Sequence, residues 1–70
     1  MKYVYVIEQA TEGSYSAYVP DLPGCTSSAD SVEELKANIG DAVASYLDFL
    51  KEEGQPIPLA TSLVAEVDAS

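Results

Sequence analysis

Apolar residues alternate along the segment KYVYVIE (residues 2–8), which is rich in β-branched and aromatic side chains and predicts a first strand. Tyr3, Tyr5 and Ile7 fall on one face, Val4 and Val6 on the other. Both faces are apolar, so neither is fully given to water. Residues 9–13, QATEG, predict a turn that closes at Gly13. Alternation resumes over residues 14–19, SYSAYV, with Tyr15, Ala17 and Val19 on one face and Ser14, Ser16 and Tyr18 on the other. The short connection predicts a β-hairpin. PDLPGC (residues 20–25) then stops the strand, because proline fixes φ and glycine favours turns. CTSS (residues 25–28) can add a short third strand.

The period then changes from two to three or four. Val32, Leu35, Ile39, Ala42, Val43, Tyr46, Leu47 and Leu50 form one apolar stripe, which predicts a helix. Ser31 is placed as its N-cap, with Glu34 three residues later completing a capping box. Asp30 and Glu33 suit the positive helix start, Lys51 suits its end, and Gly54 is a fitting residue just past it. Gly40 in mid-helix marks either close packing or a tolerated glycine. Pro56-Ile57-Pro58 predicts an extended connector. TSLVAEV (residues 61–67) predicts a last strand with Leu63, Ala65 and Val67 on one face.

The expected fold is therefore α+β: a two-layer β-β-β-α-β unit, with a four-stranded, mainly antiparallel sheet and one helix on one face. One helix covers only one sheet face. The Tyr3/Tyr5/Ile7 face is expected to be the open one, and exposed apolar area of that kind marks an interface. With 70 residues, a single domain over 1–70 is expected, burying only about 60% of its unfolded surface. A homo-oligomer, dimer or tetramer, fits so small a core.

Composition narrows the function. Hydrophobic residues make up 47% and charged residues 21%, which is globular rather than disordered. No apolar run reaches the roughly 18 residues of a membrane span, and the N-terminus lacks the apolar stretch of a signal peptide. A cytoplasmic protein with no membrane contact is expected. The formal net charge is −9, from three lysines, no arginine and twelve acids. Such a chain repels phosphates, so no direct nucleic-acid role is expected. The acidity either steers a basic partner or serves solubility.

Chemistry is sparse. The chain has no histidine and one cysteine, Cys25. An internal disulfide, a zinc site and any Ser-His or Cys-His pair are excluded. Cys25 reads as a packing cysteine rather than a reactive thiol, because no histidine or arginine is available to lower its pKa. Glu8, Glu66 and Asp68, with Glu33 or Glu34, are the acids from which a magnesium nuclease site would be built. Capping already explains Glu34, and no lysine or histidine neighbours these acids as a proton donor. No catalytic residue and no cofactor are expected. Glu34, Asp41, Asp48 and Glu52 form a slowly drifting acidic line beside the apolar stripe. It is either a contact for basic partner residues or a solvated face. PDLPGC is either a rigid recognition loop or a stiff corner between strands. The residues expected to meet a partner are Tyr3, Tyr5, Tyr18, Pro20, Asp21, Leu22, Pro23, Glu34, Asp41 and Asp48.

The stretch from Tyr15 to Asn38, with its hairpin strand, PDLPGC and Glu33-Glu34 helix start, resembles the N-terminal domain of the HicB antitoxins. Gly54-Gln55-Pro56-Ile57-Pro58 resembles that family's segment after the helix, so the likeness spans nearly the whole chain. It implies a partial ribonuclease-H-like β-β-β-α-β fold, with the last strand beside the first and Glu8 and Asp68 ending neighbouring strands. It also implies binding to a HicA-type toxin, a small basic protein that cleaves messenger RNA, with its active site blocked. Ala29 stands where the family often has glycine, and Ser31 where it often has threonine. HicB antitoxins usually continue into a DNA-binding domain; this sequence stops at Ser70, so operator binding is not carried over. The alternative is a stand-alone homo-oligomeric HicB-like module with no toxin partner.

Overall fold

The computed structural model describes residues 2–67. Its elements are strands β1 (Val6–Gln9), β2 (Tyr15–Tyr18) and β3 (Thr26–Ala29), then helix α1 (Val32–Glu52). The strands form an antiparallel meander in the order β1-β2-β3. Val6 stands opposite Tyr18 and Ile7 opposite Ala17, while Ala17 in turn faces Ser27 and Tyr15 faces Ala29. The β1–β2 turn closes through Ala10 N–H to Ser14 O at 2.8 Å and Gly13 N–H to Ala10 O at 3.0 Å.

The corner between β2 and β3 is built by two successive turns. Leu22 N–H donates to Val19 O at 3.1 Å, and Cys25 N–H donates to Leu22 O at 3.0 Å. In the second turn Pro23 takes the position that wants a fixed φ, and Gly24 the following one at φ +82°. That is the residue order of a type II turn. Val19 N–H to Cys25 O, 3.1 Å, ties the two ends of the corner together. Leu22, between the prolines, points into the core and is completely buried.

Both helix ends are closed, the first by the Ser31 half of the expected capping box. Ser31 Oγ accepts from Glu34 N–H at 3.2 Å. At the other end Gly54 N–H donates to Lys51 O and Gln55 N–H to Leu50 O, at 3.2 and 2.8 Å. With Gly54 at φ +67°, this is a Schellman closure. Gly40 is exposed, and a Cβ there would meet nothing within 4 Å. It is a tolerated glycine, not a point of close packing.

The core consists of Ala17, Val19, Leu22, Cys25, Leu35 and Ile39, flanked by half-buried side chains that include Tyr3, Tyr5, Tyr15 and Tyr46. Helix α1 packs across β3 and β2 and makes no comparable contact with β1. The sheet is therefore covered unevenly, and β1 lies outside the helix's shadow.

Three expectations are corrected. Only the end of the first apolar run enters the ladder, since residues 2–5 carry no strand pairing. The Tyr3/Tyr5/Ile7 face is the inward one: Tyr3 and Tyr5 pack on the core, and the Ile7 partner Ala17 is buried. The Tyr3 hydroxyl also donates to Pro58 O. The sheet's open face instead carries Val6, Tyr18 and Thr26 in one row and Glu8, Ser16 and Ser28 in the next. Finally, residues 61–67 carry no strand pairing, so among the described residues the sheet has three strands. Strand propensity stabilises a segment only against a neighbouring strand. Thr61 and Ser62 bond instead to a side chain of the β2–β3 corner. Asp68, paired by expectation with Glu8, lies outside the described residues.

Candidate protein-binding surfaces

The residues of the corner divide by what they already touch. Pro20 and Pro23 are exposed, and Leu22 is fully buried. The Pro23 carbonyl accepts from the Tyr46 hydroxyl at 3.0 Å, which ties the corner to the helix. Asp21 is committed to the far end of the chain. Its Oδ1 accepts from the hydroxyls of Thr61 and Ser62, at 3.1 and 2.8 Å. Its Oδ2 accepts from the backbone N–H groups of the same two residues, at 3.1 and 3.0 Å. Sequence offers no local sign of this clamp, because the partners stand 40 positions away.

Four donors on one carboxylate favour its charged form. The Ser62 N–H, followed by the Ser62 hydroxyl, holds the Asp21 pKa below its ordinary 3.8, with Thr61 adding to the effect. A depressed carboxylate pKa contributes stability that is complete above the unfolded value and is lost as pH falls through the folded one. The clamp is thus expected to hold at neutral pH and to open in acid, below 3.8. Amide shifts of Thr61 and Ser62 followed by NMR should titrate with a midpoint under 3.8. In Ser62→Ala the midpoint should move back toward the ordinary value. A midpoint at or above that value in the parent protein would contradict the clamp.

Helix α1 presents Glu34, Asp41, Asp48 and Glu52, all exposed. The two steps of seven residues from Glu34 to Asp48, and the step of four to Glu52, turn each carboxylate only modestly from the last. The line falls on the face turned away from Leu35 and Ile39 rather than at the margin of the stripe. It is a solvated, single-sign surface, fit for electrostatic attraction at a distance.

Two apolar surfaces complete the inventory. Tyr18 is 41% exposed on the open sheet face, beside Val6. An open groove runs between the corner and the C-terminal half of the helix, lined by Gly24, Cys25, Thr26, Ala42, Ser45, Tyr46 and Phe49. Phe49 stands on its rim, exposed. The sequence reading missed this groove, because Phe49 falls off the apolar stripe and carries no motif. Cys25 itself is buried, and burial raises its thiol pKa. Among the described residues no group of three or more Cys, Asp or Glu side chains is placed to hold a metal ion. No helix among them is long and apolar enough to cross a membrane.

Of the residues expected to meet a partner, Tyr18, Pro20, Pro23, Glu34, Asp41 and Asp48 are exposed. Tyr3 and Tyr5 are half-buried against the core, Leu22 is inside it, and Asp21 is engaged. The exposed residues are spread over the corner, the open sheet face and the outer helix face, not gathered into one cleft.

Comparison with known proteins adds to this geometry. Residues 3–70 match the family described as HicB_like antitoxin of bacterial toxin-antitoxin system. A UPF0150 protein of Synechocystis is 39% identical over 56 residues, covering 80% of this chain and 71% of the relative. A UPF0150 protein of Thermoplasma acidophilum is 36% identical over 58 residues, covering 83% and 84%. Antitoxin HicB 1 of Photorhabdus laumondii is 32% identical over 59 residues, covering 84% of this chain and 38% of its own length.

Proposed function

The chain belongs to the HicB_like antitoxin family of bacterial toxin–antitoxin systems, and from that premise we propose that it binds and masks a small, basic, HicA-type messenger-RNA-cleaving toxin. The family match over residues 3–70 carries this reading. The net charge of −9 and the exposed Glu34/Asp41/Asp48 line support it, because they complement a basic partner. The chain acts by occlusion in the cytoplasm, as one HicB-like unit with no cofactor and no chemistry of its own. Tyr18, Pro20 and Pro23 supply the apolar part of the contact; the acidic helix face supplies attraction and speeds encounter.

The test is binding to any small basic protein encoded beside this chain, measured at two ionic strengths. A complex that inhibits RNA cleavage is expected, with an association rate that falls as salt rises. Reversing Glu34, Asp41 and Asp48 to lysine together should slow association on the order of tenfold or more, with a smaller effect on dissociation. Recovery of no small basic protein from the source cell, or a salt-independent rate, would count against the proposal. A second reading, a homo-oligomer without a toxin, is favoured by a separate observation: Leu63, Val64 and Val67 are 92%, 74% and 89% exposed.

A further inference from the structure

The groove between the β2–β3 corner and the C-terminal half of α1 is held open by its own walls. Ala42, Tyr46 and Phe49, spaced by four and three, share the helix face that forms one wall. Cys25 and Thr26 form the other. The Tyr46 hydroxyl donates to the Pro23 carbonyl at 3.0 Å and so joins the two walls. Buried Leu22 and the Val19–Cys25 backbone bond fix the corner side. A surface held in this way loses little conformational entropy when it is filled. Phe49 stands on the rim at 59% exposure. A lone exposed phenylalanine is ordinary, but one that continues a preformed apolar groove marks an interaction site.

Shape and charge choose the occupant. The groove has a volume of about 390 Å³ and is open along its length. Sites for small ligands enclose roughly 70–90% of the ligand surface. An open groove suits a side chain carried on a larger surface instead. Asp41 and Asp48 lie four residues before and three after Ser45, and Glu52 lies three after Phe49, so all three carboxylates border the helix wall. All three are exposed. Lys36 and Lys51 fall on the side of α1 away from the groove. A second copy of this chain would set one acidic margin against another, at a net charge of −9 each. A cationic partner meets the opposite sign.

We propose that this groove seats one large apolar side chain of a cationic protein partner, with a lysine or arginine of that partner along Asp48 and Glu52. Phe49 packs on the seated side chain. Thr26, in the groove wall, stands opposite Tyr18 in the sheet, so the groove and the Tyr18 face meet as one surface. The acidic margin speeds encounter, and the filled groove slows departure. Where the partner is a toxin, the seating rests on the masking function; for a cationic chain in general it rests on the groove alone.

Two probes of the full chain separate these. The first is an amidated peptide of leucine and lysine at helical spacing, followed by amide shifts. Shifts are expected at Gly24, Thr26, Ser45 and Phe49. They should vanish when serine replaces the peptide's leucines, and binding should weaken on the order of tenfold in Phe49→Ala. The second probe is any small basic protein encoded beside this chain. Its complexes with Phe49→Ala and with Ser45→Trp, which fills the groove, should dissociate on the order of tenfold faster, with association close to the parent's. A peptide that leaves the groove amides unmoved, or moves them equally without leucine, overturns the proposal whether or not a toxin binds. A basic protein that leaves both variants at the parent's rate also overturns it, and the masking function stands. Groove shifts with no basic protein bound uphold the seating and remove the toxin. If Phe49→Ala lowers the mass of the pure protein in sedimentation, a second copy fills the groove. If Leu63→Ser/Val64→Ser/Val67→Ser moves the groove amides, the chain's own last segment does. Either result overturns the proposal.

Discussion

Leu35→Ala is expected to leave this protein largely unfolded at 37 °C. Leu35 is completely buried, on the helix turn that faces the sheet and the corner. Removing such a side chain deletes transfer free energy and leaves a void that the surroundings fill only in part, together about 2–5 kcal/mol. A core of six buried residues among the described residues has little in reserve. Domains of this size rarely exceed about 3–5 kcal/mol of net stability. The loss therefore matches the whole margin. Urea denaturation followed by far-ultraviolet circular dichroism at 25 °C should show either no folded baseline or a midpoint close to zero denaturant. Leu35→Met, which nearly conserves volume, should cost under about 1.5 kcal/mol and preserve a cooperative transition. If Leu35→Ala unfolds at the parent's midpoint, the core is not organised around this residue.

Gly24→Ala and Gly40→Ala are expected to move stability in opposite directions, although neither new methyl would touch anything. A Cβ at either position meets no heavy atom within 4 Å. The difference lies in the backbone. Gly24 sits at φ +82° in the turn that follows Pro23, where an L side chain is strained by roughly 1–2 kcal/mol. Gly40 is an exposed residue inside α1, where alanine is favoured by about 0.5–1 kcal/mol. For a chain of this size each kcal/mol is about 4–8 °C in Tm. Thermal melts should thus place Gly24→Ala several degrees below the parent and Gly40→Ala several above. Equal shifts of the same sign would mean that the corner does not hold the left-handed turn.

These outcomes separate what local sequence encodes from what it does not. Ser31 and Gly54 bracket the helix correctly because capping is a contact between near neighbours. The hairpin and the corner are also local, and their turn residues announce them. The orientation of β1 was not legible, since Tyr5 and Val6 are both apolar and a period of two has no sign of its own. Its inward face is set by the pairing of Ile7 with Ala17. Leu63 to Val67 have intrinsic strand propensity, but a ladder needs a partner, and spacing alone does not supply one. Leu22 looked like an exposed loop residue between two prolines, yet the turns around it drive it inside. Asp21 looked like a charge awaiting a partner molecule. Its partners are Thr61 and Ser62, and no rule of spacing reaches that far.

The lone cysteine has a practical consequence. With no tryptophan in the chain, the usual fluorescent reporter of folding is missing. Cys25 fills that place. It is buried in the corner, and burial also keeps its sulfur protonated, so a thiol reagent in neutral buffer meets neither an accessible nor an ionised target. Labelling then proceeds only through molecules that have opened. When closing outpaces reaction, the observed rate is the rate for a free thiol multiplied by the fraction open. A chain with a single sulfur gives a single, unmixed labelling curve, and Cys25 becomes a stopwatch for the opening of the corner.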